Sequence, residues 1–244
     1  MPDKPPTLRS CIVAEQGHTF LSLDAIQVEL KVLAVLSQDP KMLEDLRTGD
    51  LHLATAIRMF GWTDDADEMK SRRYKAKQGN FALVYGADEY KLSEMLECSL
   101  EEATQFMADH RATYPVLYQW MADKVAQAKE DGYVVNMFGR IRPIPELSGG
   151  TWKMREKAER EVVNTIVQGT AVDIVKLAML QLRAMFDKSI RLVLQVHDEL
   201  VFECPDALLP QALEQCKELS QFFPQYPFSI STGKVYGEMI AVGQ

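Results

Sequence analysis

Arg191-Leu192-Val193-Leu194-Gln195-Val196-His197-Asp198-Glu199-Leu200-Val201-Phe202-Glu203 is the stretch whose reading decides the fold. Two apolar runs, Arg191 to Val196 and Leu200 to Glu203, flank a polar triplet, the pattern of two strands joined by a tight turn. Such a turn lifts the carboxylate of Asp198 out of the apolar strands, to where a metal ion can be held. A second carboxylate, Asp24, closes the alternating run His18-Thr19-Phe20-Leu21-Ser22-Leu23 and is followed by Ile26-Gln27-Val28-Glu29-Leu30. Between them lie Arg73, Lys77, Phe81 and Tyr85, spaced by four on a predicted helix, which puts two cations and two aromatic rings on one stripe. Separated carboxylates, cations for phosphates and aromatic faces for bases are the components of metal-assisted phosphoryl transfer to a nucleotide.

Each feature taken singly has an ordinary structural explanation. Asp24 can cap the helix that follows and Asp198 can be a plain turn residue. The stripe can be an amphipathic helix with a solvated basic end. A second stripe of the same spacing, Arg160, Asn164 and Gln168, can be a polar solvent face or a set of groups that bond base edges and sugars. His52, two residues after Asp50, can hold a phosphate or merely sit near a helix start. The order and number of these features carry the argument.

The chain has 244 residues, of which 47% are hydrophobic, enough for one good core or two modest ones. No run approaches the roughly 18 uninterrupted apolar residues of a spanning helix, and Met1-Pro2-Asp3-Lys4-Pro5-Pro6 lacks the apolar segment of a signal peptide. A cytoplasmic location with no membrane contact is the expectation. Cys11, Cys98, Cys204 and Cys216 are scattered without CxxC spacing, against a zinc site or a disulfide framework. The net charge of −8 opposes general attraction to nucleic acid, yet Lys70, Arg72, Arg73, Lys75 and Lys77 crowd one segment and Lys153, Arg155, Lys157 and Arg160 another.

Pro2 to Pro6 reads as an extended lead, then Ser10 to Ala14 and His18 to Leu23 as strands joined at Glu15-Gln16-Gly17. Helical periodicity follows over Gln27 to Ser37, Lys41 to Arg47, Leu51 to Phe60 and Asp64 to Gly86, the last as one helix or as two with Ser71 as a second N-cap. In the two-helix form Arg73 and Lys77 stand near a helix start, where free amides favour an arriving anion. Gly79, costing about 1 kcal/mol relative to Ala inside a helix, suggests a backbone surface kept open. Further helices are predicted over Leu92 to Leu96, Leu100 to Ala112, Val116 to Glu130, Lys153 to Phe186 and Ala207 to Phe223, with a hairpin at Tyr133 to Ile144 and a last strand near Ser229 to Tyr236. Strands at both ends around a helical block predict an α+β fold in which Asp24 and Asp198 share one sheet.

Together the motifs resemble the polymerase module of the DNA polymerase I family, family A, in order from about Leu8 to Glu238. Leu23-Asp24-Ala25-Ile26-Gln27-Val28-Glu29-Leu30 resembles that family's first carboxylate motif. Arg73 to Gly86 is similar to its nucleotide-binding helix, and Leu194 to Val201 matches its second carboxylate motif almost letter for letter. Val167-Gln168-Gly169-Thr170-Ala171-Val172-Asp173 and Phe138-Gly139-Arg140 are similar to further family signatures.

The resemblance implies a DNA-directed DNA polymerase acting on primer-template DNA and dNTPs with two Mg²⁺ ions, Mn²⁺ able to replace them. Asp24 and Asp198 would bind the ions, joined by the Ala25 carbonyl. Glu29 would be the steric gate against the ribose 2′-oxygen. Arg73, Lys77 and His52 would bind the triphosphate, Lys77 also giving a proton to pyrophosphate. Phe81 would stack on the incoming nucleotide and Tyr85 guard the templating position. Arg160, Asn164, Gln168 and His197 would follow the minor groove near the primer end. The architecture implied is a palm sheet, residues 1–45 and 147–244, with helical fingers, residues 46–146, inserted and the thumb absent. That absence implies weak processivity, or a separate chain supplying a thumb or an exonuclease. The rival expectations are a single-subunit RNA polymerase, which Glu29 and Glu199 argue against, and a non-catalytic DNA- or nucleotide-binding remnant or accessory subunit of a split polymerase. Ala25-Ile26 for Tyr-Ser, Lys31 for Arg, Gln78-Gly79 and Ala82 for Gly depart from the family pattern, and none removes a metal ligand or a triphosphate cation.

Overall fold

The computed structural model describes residues 8–47 and 49–242, so the expected lead Pro2 to Pro6 lies outside the described residues. In chain order the strands are β1 His18–Ala25, β2 Tyr133–Val135, β3 Ile141–Pro143, β4 Arg191–Val196, β5 Glu199–Pro205, β6 Phe228–Gly233 and β7 Ile240–Ala241. The helices are α1 Val28–Ser37, α2 Pro40–Arg47, α3 Leu51–Phe60, α4 Ala66–Val84, α5 Glu89–Leu96, α6 Leu100–Thr113, α7 Pro115–Asp131, α8 Trp152–Met185 and α9 Leu209–Phe222. They fall into two compact units, one from Met1–Val28 with Ala171–Gln244 and the other from Glu29–Thr170.

The first unit is built on a five-stranded sheet of order β4-β5-β1-β6-β7, with β1 antiparallel to both β5 and β6. The first and last parts of the chain therefore meet in one sheet, as the strand pattern predicts. Alternation along β1 and β5 separates two faces. Leu21, Leu23, Leu200, Phe202 and Cys204 are fully buried on one, where Phe186 meets Phe202 edge-to-face with ring centroids 5.1 Å apart. Phe20 and Val201 lie on the other with Tyr236 in a smaller cluster, and Ser22, Asp24 and Glu199 continue that same face. Burying a side chain such as Leu21 or Phe202 contributes about 1.5–3 kcal/mol, so a one-residue slip that turned these residues outward is strongly disfavoured. Register fixed by the core thus fixes where Asp24 points.

Sequence and structure part at the first strand. Leu8–Cys11 forms a 3-10 turn, and Val13 makes an isolated antiparallel bridge to Val235 without joining a strand. The Ser10 to Ala14 strand does not form, because the run is too short to bury a face and Ile12 and Val13 remain exposed.

The second unit is helical apart from the β2–β3 hairpin. Asp65 caps α4 by accepting from the backbone N–H groups of Asp67 and Glu68, and Ser99 with Glu102 forms a reciprocal capping box on α6. Residues 66–84 are one helix, so Ser71 is not a cap. Asp65, with acidic Asp67 and Glu68 beside it, satisfies the helix start instead. Arg73 and Lys77 consequently stand in the helix interior, away from free N-terminal amides. Gly79 also has a different reason from the one expected: a Cβ there would come within 2.6 Å of Phe106, so its surface is filled by α6. Leu83, Leu92, Leu96, Ala103 and Phe106 form the core at that point.

Helix α1 and the first half of α8 group with the helices: Leu36 packs on a cluster of Ala128, Val134, Ile144, Ala158, Val162 and Ile166. The unit boundaries consequently fall at 28/29 and 170/171. By length and composition α8 is long and apolar enough to cross a membrane, and 56% of its most apolar window is buried inside the protein.

Candidate active site

In the sheet unit, β5 follows β4 through His197 and Asp198, and His197 adopts a left-handed φ of +55°. That conformation is unfavourable by about 1 kcal/mol for a residue with a Cβ. The turn aims Asp198 toward β1: the Ala25 N–H donates to the Asp198 carbonyl at 3.2 Å, and Asp24 lies opposite Glu199 in the β1–β5 register. Asp24, exposed, and Asp198, half-buried, line one cleft of about 330 Å³ with Arg9, Ser22, His197, Glu199 and Ser229. The structure therefore brings together Asp24, Ala25, Asp198 and His197.

The helical unit holds the cation and aromatic stripe. Along α4 the rings of Phe81 and Tyr85 stack with centroids 6.2 Å apart, and Phe81 also faces His52 at 5.6 Å. Tyr85 Oη donates to Glu29 Oε2 and is also bonded to Gln168, which links Glu29 of α1, the end of α4 and α8. Burial first, then the Glu29 carboxylate, pushes the Tyr85 hydroxyl well above its ordinary range, so it remains a donor. Lys77 is exposed and, among the described residues, forms no ion pair. Arg73 is committed differently: its Nε donates to Asp50 Oδ2 at 2.6 Å, while Asp50 Oδ1 caps α3 by accepting from His52 N at 3.0 Å. Burial works against ionisation of Asp50, yet the Arg73 and Leu53 hydrogen bonds outweigh it and lower its pKa.

His52 is only 1% exposed, and burial lowers its pKa to about 4. The ring is neutral at pH 7. Asn80 Nδ2 reaches His52 Nδ1 at 3.1 Å, leaving Nε2 to carry the proton, and that buried Nε2 has no partner among the described residues. Among the described residues Asn80 Oδ1 is buried and unpartnered as well, as is Asn164 Oδ1 on α8. Arg160 is held by Glu156 at 2.9 Å and its stem lies over Gly86, where a Cβ would come within 2.6 Å of it. Gly86 also has φ +75°, a second reason for glycine.

Sequence reasoning passed over Asp50 as a partner of Arg73, Asn80 as a partner of His52, and the group Ser22, Tyr236 and Arg9 around Glu199. Ser22 was recoverable, since it is two residues from Asp24 on a strand and shares its face. Tyr236 carried no signal, reading only as the end of a strand.

The family model for DNA polymerase family A matches residues 3–232. The chain belongs to DNA polymerase family A. It is 37% identical over 225 residues to a thermostable DNA polymerase I of Thermus thermophilus, covering 91% of this chain and 27% of that protein. It is 35% identical over 219 residues to the DNA polymerase I of Geobacillus stearothermophilus, covering 85% of this chain and 25% of the relative. Among solved structures it is similar to the POL domain of Pol1 from M. smegmatis in complex with DNA primer-template and dNTP, with a TM-score of 0.84, 32% identity, and coverage of 94% of this chain and 42% of that one. The chain thus spans about a quarter of the length of these family A relatives.

Proposed function

We propose that the chain is the core of a template-directed DNA polymerase that adds dNTPs to a primer 3′-hydroxyl. In this reading residues 1–45 and 147–244 serve as palm and 46–146 as fingers. The observation that carries it is the β1–β5 pairing together with the cleft that both Asp24 and Asp198 line.

The donor set there suits a hard divalent cation. Asp24 and Asp198 offer carboxylate oxygens, and among the described residues no group of three or more His, Cys, Asp or Glu side chains forms a closed metal cage. Mg²⁺ favours such sites, with one or two carboxylates and the remaining positions left to substrate phosphates and water. Asp24, Asp198 and the Ala25 carbonyl would hold two ions. Bound there, Mg²⁺ or Mn²⁺ supplies Lewis-acid stabilisation of charge on the reacting phosphates.

The chain's own groups do the rest. The exposed Lys77 ammonium binds the triphosphate and gives a proton to the departing pyrophosphate, as the primer 3′-hydroxyl, losing its proton to water, bonds to the α-phosphorus and the oxygen bridge from the α- to the β-phosphorus breaks at the α-phosphorus. Arg73 keeps its Nη groups for phosphate while Asp50 orients the guanidinium through Nε. His52, neutral, acts as a hydrogen-bond donor through Nε2, and that unpartnered buried atom supports a polar ligand arriving beside it. Phe81 offers a face to the incoming base, Glu29 restricts the space at the sugar, and Tyr85 occupies the templating position until displaced. Arg160, Asn164, Gln168 and His197 contact primer-template DNA.

Primer extension by the purified full chain, with and without Mg²⁺, tests the proposal. Templated extension that requires the metal supports it, and DNA or nucleotide binding without any extension supports a non-catalytic accessory role instead.

A further inference from the structure

The Asp24–Asp198 cleft contains a third carboxylate, Glu199, directly opposite Asp24 in the β1–β5 register. Like charges facing each other across strands are destabilising unless something offsets them. Here both oxygens are engaged. Ser22 Oγ donates to Glu199 Oε1 at 2.6 Å, and Tyr236 Oη donates to Oε2 at 2.5 Å. Arg9 Nη1 lies 3.9 Å from the same Oε2, with its guanidinium 4.8 Å from the centroid of the Tyr236 ring. Tyr236 is a rigid donor: its ring is buried among Phe20 and Val201, and its backbone N–H donates to the Ile12 carbonyl at 3.0 Å.

We infer that Tyr236 and Ser22 make Glu199 a positioning residue. Held by two hydroxyls, its carboxylate stays off the cations that Asp24 and Asp198 bind, and fixes the end of the β1–β5 register at which those two aspartates meet. This inference rests on the metal-site reading above. It differs from a three-carboxylate site, in which Glu199 would itself be a ligand.

The two arrangements predict opposite responses to loss of one hydroxyl. Mn²⁺ binding to the full chain without DNA is measured by electron paramagnetic resonance of the free ion, for wild type, Tyr236→Phe, Glu199→Gln, the double variant and Asp24→Asn, each checked by thermal melting. Tyr236→Phe keeps the ring under Arg9 and is expected to weaken Mn²⁺ binding about tenfold, the scale of one hydrogen bond to a charged group. Adding Tyr236→Phe to Glu199→Gln is expected to weaken it no further, because both act through one contact. Ser22→Ala breaks the bond to the other oxygen and carries the same expectation if Tyr236→Phe fails to fold. Mn²⁺ binding that is unchanged or tighter in Tyr236→Phe overturns the inference, tighter binding being the mark of a Glu199 released to ligate. Weakened binding in Asp24→Asn keeps the metal site itself intact as a reading, whereas unchanged binding there overturns both.

Discussion

Asp50 joins two helices through one side chain: Oδ1 caps α3 at the His52 and Leu53 N–H groups, and Oδ2 accepts from Arg73 Nε on α4 at 2.6 Å. A candidate phosphate-binding arginine is thereby oriented by the cap of the helix that carries His52. The two functions separate by substitution. Asp50→Asn keeps a good N-cap and loses the charge, while Asp50→Ala loses both.

Urea unfolding should show Asp50→Ala destabilised by about 1–2 kcal/mol, the scale of a lost cap, and Asp50→Asn by less. Both should raise KM for dNTP, because Arg73 loses its anchor. Equal KM in Asp50→Asn and wild type would contradict the orienting role.

Two buried histidines make stability pH-dependent. Burial holds His52 at about 4 and His110 at about 3, where an unfolded chain has about 6.5. Their folded-state values are depressed, so their contribution is complete above pH 6.5 and is lost as pH falls toward the folded values, the unfolded chain binding protons that the folded one refuses. Between pH 7 and pH 5 each should remove about 2 kcal/mol from the unfolding free energy. Denaturant titrations at the two pH values measure it, and a loss that persists undiminished in His110→Asn would remove His110 from the account.

Gly79 is set by packing. Gly79→Ala should gain helix propensity but lose more to the clash with Phe106, a net loss of about 1–3 kcal/mol. Phe106→Leu in the same chain should return part of it. A Gly79→Ala chain more stable than wild type would show that α6 yields at no cost.

What was legible in the sequence was what local pattern controls. The β4–β5 hairpin followed from two apolar runs around His197-Asp198-Glu199, and the sharing of one sheet by Asp24 and Asp198 from strands at both ends of the chain. What depends on tertiary contact was not legible. Ser71 could be a cap by type, but Asp65 started the helix six residues earlier. Val13 looked like a strand residue, yet Leu8–Cys11 winds into a 3-10 turn and Val13, left exposed, makes an isolated bridge to Val235. His52 looked available to a phosphate, and its burial at 1% exposure, with Asn80 on Nδ1, depends on how α3 packs on α4. Glu199 and Tyr236 are 37 positions apart and meet only after the sheet is complete.

The account depends most on Asp24 and Asp198 acting as a pair, and single-nucleotide incorporation on a primer-template in Mg²⁺ tests it most directly. Asp24→Asn and Asp198→Asn should each slow incorporation by at least about a thousandfold, the loss of roughly 4 kcal/mol of transition-state stabilisation, with the melting temperature unchanged. Incorporation near the wild-type rate by either folded variant would contradict the assignment of the cleft.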